Sequence, residues 1–109
     1  MDPKRATREG WIKIEDQSYD SAKRIFLNVI EEQPNPKAFM GVGFAEERLA
    51  DRYKERKDFA RVEQQYDAAH KYYCAAMDYY TEQESMNEED RFGLMYLQAR
   101  LKTISRGCS

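Results

Sequence analysis

At 109 residues the chain has room for one domain with one modest core. Charged residues make up 35%, while Pro and Gly number only 3 and 5, a composition suited to helices rather than to strands joined by tight turns. Hydrophobic residues at 41% exclude a disordered chain, and a net charge of −2 excludes the strongly basic footprint of a nucleic-acid binder.

Pro3 suits a first helical turn, and Trp11 with Ile14 gives the i, i+3 pair of a helix face. The polar run Glu15-Asp16-Gln17-Ser18 separates this from a second stripe at Ala22, Ile25, Phe26, Val29 and Ile30. Pro34-Asn35-Pro36 ends it, because proline lacks the N–H and biases its predecessor away from helix. A third helix carries Phe39, Val42, Leu49 and Tyr53, with opposite charges interleaved on its outer surface at Glu47, Arg48, Asp51, Arg52, Glu55 and Arg56. Asp58 is placed to cap a fourth helix whose apolar positions, Phe59, Val62, Tyr66, Ala69, Tyr73, Ala76 and Tyr80, alternate three and four apart. An acidic stretch from Thr81 to Asp90 precedes a last helix with Phe92, Leu94, Leu97, Leu101 and Ile104. The periodicity thus predicts an all-α domain with helices at about 4–15, 19–33, 37–57, 58–83 and 89–105.

No stretch reaches the roughly 20 apolar residues that span a bilayer. The opening Met-Asp-Pro-Lys-Arg lacks the apolar run of a secretory signal, so cytoplasm or nucleus is the expected compartment. Cys74 and Cys108 are accordingly expected as reduced thiols.

Tyr19-Asp20-Ser21-Ala22, followed by Phe26, Val29 and Pro34, resembles the second half of a tetratricopeptide repeat (TPR), and Tyr66, Ala69, Tyr73 and Ala76 repeat that pattern. Phe39-Met40-Gly41-Val42-Gly43 resembles the start of the next unit. Trp11, Glu15, Ala22, Arg24, Ile25 and Phe26, with Phe39, are similar to the half-a-TPR variant. The resemblance covers about residues 11–81 and implies antiparallel helical hairpins in a right-handed repeat, with about 89–105 as a capping helix. It departs from the family in a short Ile14–Tyr19 turn and a long span from Phe39 to Tyr66. Where some members place the asparagine of a carboxylate clamp, this chain has Phe44, so a chaperone-tail clamp is not implied. Tyr66-Asp67-Ala68-Ala69 with Tyr72, Tyr73 and Ala76 also resembles part of a microtubule-interacting-and-trafficking domain, a three-helix peptide-binding bundle.

Chemistry-bearing patterns fail on context. The single His70 has Asp67 at i−3 and Cys74 at i+4 of the same helix, and its pair with Cys74 is only half of a zinc site. Glu82, Glu84, Glu88, Glu89 and Asp90 lack the glycine and spacing of a calcium loop. Gly41-Val42-Gly43 has Glu46 at the third glycine position of a phosphate loop and no strand before it. Arg48, Arg52, Arg56, Lys57 and Arg61 are interleaved with acids that cancel their field. The expectation is a binding module without catalytic residues, metal or cofactor. The TPR resemblance implies that Lys37, Met40, Phe44, Glu47 and Arg48 face a groove that holds a protein or peptide partner. The alternative is a homodimer through the 58–83 helix, with Tyr72, Tyr73, Met77, Tyr79 and Tyr80 at the contact.

Overall fold

The computed structural model describes residues 2–108. They form five helices: α1 (Pro3–Glu15), α2 (Tyr19–Glu32), α3 (Pro36–Glu55), α4 (Phe59–Thr81) and α5 (Glu88–Thr103). Among the described residues there is no strand, and no helix is long and apolar enough to cross a membrane. Successive helices pack on one another, and α1 also touches α3.

Local chemistry explains where the helices begin and end. Pro36 occupies the first turn of α3, and the Asn35 side chain caps it by accepting from Ala38 N–H at 2.9 Å. Asn87 does the same for α5, accepting from Asp90 N–H at 2.8 Å, and Glu88, Glu89 and Asp90 set negative charge against the positive end of that helix dipole. Asp58 stands at the start of α4 but makes no side-chain cap; its carboxylate lies 3.4 Å from Arg61 instead.

The odd-numbered helices share one ending. Gln17, Lys57 and Ser105 take left-handed φ values of 63°, 61° and 56°. In each case the following N–H reaches back five residues: Ser18 to Lys13 O at 2.9 Å, Asp58 to Tyr53 O at 2.9 Å, Arg106 to Leu101 O at 3.0 Å. This is the Schellman turn, made here without glycine.

Two apolar clusters form the core. One gathers Ala22, Phe26, Val29, Ala38, Val42 and Ala45; the other gathers Met40, Ala69, Tyr73, Ala76, Tyr80, Leu97 and Leu101, and Trp11 packs against both. Glycine permits the close approach. A Cβ on Gly10 would fall 2.5 Å from Phe26 Cε1, and one on Gly41 would fall 2.6 Å from Phe26 Cδ2, so the ring is held from opposite edges by α1 and α3. Tyr73 fits against Gly43 in the same way, 2.6 Å from where a Cβ would stand.

The expectation of reduced thiols is overturned. Cys74 and Cys108 are joined in a disulfide, with Cα atoms 5.6 Å apart across 34 residues of sequence. The turn at Ser105 causes this, because it sends the tail after α5 back along α4. Closing a loop of that length stabilises the folded chain by roughly 3–4 kcal/mol through loop entropy.

Two substitutions should act with opposite signs to naive helix preference. Gly41→Ala gains about 1 kcal/mol of helix propensity, but its methyl meets a Phe26 ring that Gly10 prevents from sliding away. Overpacking of about 1–3 kcal/mol therefore wins, and the urea midpoint falls. Lys57→Gly removes the left-handed strain and raises the midpoint by about 0.5–1 kcal/mol equivalent, despite a larger unfolded-state entropy.

Candidate peptide-binding groove

The helices α1, α3 and α5 run in the same direction, as contacts at both ends show. Between α1 and α3, Asn35 Nδ2 donates to Thr7 Oγ1 at 3.5 Å near their starts, and Arg52 Nη2 donates to Gln17 O at 2.9 Å near their ends. Between α3 and α5, Lys37 pairs with Glu89 near the starts, and Arg100 Nε donates to Glu47 Oε1 at 3.1 Å further along. One face is therefore built from three parallel helices.

Each of these helices contributes an aromatic ring to that face. Trp11 on α1 lies 6.2 Å from Phe44 on α3, and Phe44 lies 6.4 Å from Tyr96 on α5. Trp11 is seated from below by the edge of Phe26 at 5.5 Å, so the row rests on the core. The guanidinium groups of Arg48 and Arg100 stand 4.8 and 5.9 Å from the Phe44 ring centre, where its negative face attracts cations. Tyr96 is pushed up to about 12 by burial, an effect partly opposed by Arg48. It remains a neutral phenol at ordinary pH.

Two clefts flank the row. The first, about 630 Å³, lies at the starts of the helices and is lined by Lys4, Arg8, Trp11, Lys37, Tyr80 and Glu89 among others. The Lys37 ammonium closes one side of it on Glu89, first through their hydrogen bond and then through its charge, and holds that carboxyl below the usual range. The second cleft, about 550 Å³, is lined by Ile14, Tyr19, Phe44, Arg48, Asp51 and Arg52. Arg52 stacks 4.6 Å over the Tyr19 ring, and Arg48 pairs with Asp51 at 3.2 Å.

Of the five side chains expected to face a ligand, Lys37 borders the first cleft and Phe44 and Arg48 line the second. Met40 and Glu47 require correction. Both are buried, at 8% and 2% exposure, because α4 and α5 cover the sides of α3 that carry them. Met40 Sδ accepts from the Tyr80 hydroxyl at 3.6 Å. Glu47 accepts from the Tyr73 hydroxyl at 2.9 Å and holds Arg100 through both carboxylate oxygens. Two residues of the expected dimer face turn inward, since Tyr73 and Tyr80 are 0% and 3% exposed. Tyr72 and Tyr79 lie 6.4 and 5.6 Å from Phe39 of α3, and with Met77 they stay partly exposed. Trp11, Tyr96 and Arg100 are the groove residues that periodicity missed. They read as ordinary positions on their helix faces, and only the parallel alignment of α1, α3 and α5 brings them together.

The Glu47 site ties the groove to the core. Burial raises the Tyr73 hydroxyl far above its usual range and lowers Arg100, so the phenol stays protonated as donor while the guanidinium depends on its carboxylate partner. Glu47→Gln keeps the shape but leaves Arg100 without its counter-charge. Removing one partner of a fully buried pair costs about 3–5 kcal/mol. Here the Arg100 side chain keeps 21% exposure, so a somewhat smaller loss is expected. Urea unfolding measures it, and a double variant Glu47→Gln/Arg100→Met should recover part of the loss. Comparison with protein-family models, with curated proteins and with solved structures finds no match to this chain.

Proposed function

We propose that this chain is a protein–protein interaction module that takes a peptide, or a segment of a partner protein, along the face shared by α1, α3 and α5. The observation that carries the proposal is the Trp11–Phe44–Tyr96 row with a cleft on each side. Aromatic rings already held in place cost little entropy to bury, which is why they serve as anchors at interfaces. The first cleft sets Lys4, Arg8 and Lys37 among Asp2, Glu89 and Asp90, and the second sets Arg48 and Arg52 among Glu15, Asp51 and Glu55. Neither is net positive, and both offer cations already facing internal carboxylates. The fitting ligand is a segment with an apolar anchor beside acidic groups that compete with Glu89 for Lys37 and with Asp51 for Arg48.

The TPR-like reading of the fold belongs to the same proposal. Its support is the recurrence of one device in both hairpins: Gln17-Ser18-Tyr19 and Lys57-Asp58-Phe59 each combine a left-handed residue, an N–H bonded five residues back and an aromatic opening the next helix. α5 then stands as the cap.

Trp11 is the only tryptophan and lines the first cleft, so its emission reports occupancy. Titration of the purified chain with arrays of acidic and basic peptides carrying aliphatic anchors should select the acidic set. Lys37→Glu with Arg48→Glu should weaken the selected peptide about tenfold or more, the equivalent of about 1.4 kcal/mol or above. Glu89→Gln should strengthen it, because Lys37 is released from its internal partner. Unchanged affinity in both variants sinks the groove.

A second reading, self-association, is favoured by Phe92 and Met95, which are 63% and 62% exposed and one turn apart on α5. Light scattering at high micromolar concentration should then show a dimer that Phe92→Glu abolishes; a monomer under those conditions rejects it.

A further inference from the structure

The tail after α5 reads the outer face of α4 step by step. Arg106 Nη2 lies 2.9 Å from Glu63 Oε2 and Nη1 lies 2.5 Å from Asp67 Oδ1. One turn on, His70 Nε2 is 2.7 Å from Gly107 O. One turn further, Cys74 meets Cys108. The α4 residues 63, 67, 70 and 74 are spaced four, three and four, so they share one helix face. Three consecutive tail residues meet them in order.

This arrangement gathers three metal-binding side chains. A ring nitrogen of His70 and the sulfurs of Cys74 and Cys108 all lie within 4.8 Å of one another. With zinc–sulfur bonds of about 2.3 Å and zinc–nitrogen bonds of about 2.0 Å, ligands around a tetrahedral ion stand roughly 3.3–3.8 Å apart. Side-chain rotations cover the difference.

We propose that reduction of the Cys74–Cys108 disulfide opens a three-ligand site for a thiophilic divalent cation of the zinc type, held by His70, Cys74 and Cys108. The Arg106 ion pairs and the His70 contact do not depend on the sulfur–sulfur bond, so they keep Cys108 beside Cys74 once that bond is broken. A carbonyl only accepts, so His70 Nε2 carries the proton in its bond to Gly107 O, and the ring lone pair is on Nδ1. Donation from the second ring nitrogen to a backbone carbonyl is how metal-binding histidines are commonly oriented.

The balance of the switch is simple. A dithiol reductant gives two electrons and two protons to the disulfide, leaving two protein thiols and an oxidised reductant. The cation then displaces both thiol protons to solvent and takes two thiolates and one neutral imidazole, a complex of zero net charge. Its fourth position is left to water or to an outside ligand. Disulfide and cation exclude each other, since the same sulfurs serve both.

The test uses the full chain, reduced with a phosphine that is then removed under anaerobic conditions, and titrated with cobalt(II). The expected result is one cobalt per chain, with thiolate-to-cobalt charge-transfer absorption that zinc abolishes by displacement. The oxidised chain should give no such band. Cys108→Ser, a tail substitution whose helicity is checked by circular dichroism, should remove most of that absorption. His70→Ala should weaken cobalt binding by more than the 10–100-fold that loss of an outer contact costs. Zinc should also raise the urea midpoint of the reduced wild type and leave that of Cys108→Ser unchanged. A reduced wild type that binds cobalt no more tightly than Cys108→Ser, or without charge-transfer absorption, overturns the proposal.

Discussion

The ring of Phe26, clasped between Gly10 and Gly41, sets the geometry on which the rest depends. It is fully buried and inserts from α2 between two helices of the groove face. Tyr73 repeats the arrangement from α4 against Gly43, and Tyr80 does so against Gly93 of α5. In every case the even-numbered helix supplies the aromatic and the odd-numbered helix supplies the notch. A helix advances about 100° per residue, so a residue next to an inward-facing glycine points to the side. Trp11 follows Gly10 and Phe44 follows Gly43, while Tyr96 comes three residues after Gly93. The notches that let the core close thus turn Trp11 and Phe44 the same way, each about 100° past its glycine, while Tyr96, about 300° past Gly93, is brought to the face by the position of α5.

Tyr73 links this packing to the electrostatics. Its ring fills the Gly43 notch while its hydroxyl donates to Glu47, and Glu47 in turn grips Arg100 of α5. A carboxylate this deep is tolerable only because a phenol and a guanidinium both satisfy it. Such a pair is a weak source of net stability but a strong constraint on register, since an unpaired alternative is heavily penalised. The position of α5, and with it Tyr96, follows from that constraint more than from apolar burial. Only Leu97 and Leu101 of α5 are fully inside.

The helices were legible because their signals are local. Pro34-Asn35-Pro36 and the three-four alternation through α4 depend on residues a few positions apart, and the observed ends fall close to those expected. What covers a stripe is another matter. Periodicity placed Tyr73 and Tyr80 on one face of α4 without saying that Met40, Glu47 and α5 lie opposite. The TPR resemblance sent Met40 and Glu47 to the groove, and nothing local in the sequence shows that α4 and α5 cover them instead. The left-handed residues Gln17, Lys57 and Ser105 carry no glycine to announce them. The disulfide was illegible for that reason, since it exists only because the chain reverses at Ser105.

The two ends of α5 are fastened by unlike chemistry. Its far end is fixed covalently through Cys108 and reinforced by Arg106 on α4. Its near end is held to α3 by Lys37 and Glu89, both more than half exposed. Exposed pairs of this kind are weak and weaken further in salt, whereas the cross-link contributes far more. Glu89, depressed by Lys37, keeps the pair intact at neutral pH and loses it only as pH falls through the lowered carboxyl range. The larger cleft lies at this weakly held end. An acidic ligand group that takes Lys37 from Glu89 exchanges one exposed ion pair for another, so it enters at little electrostatic cost while the pinned end and the Glu47 site keep the groove's floor in register.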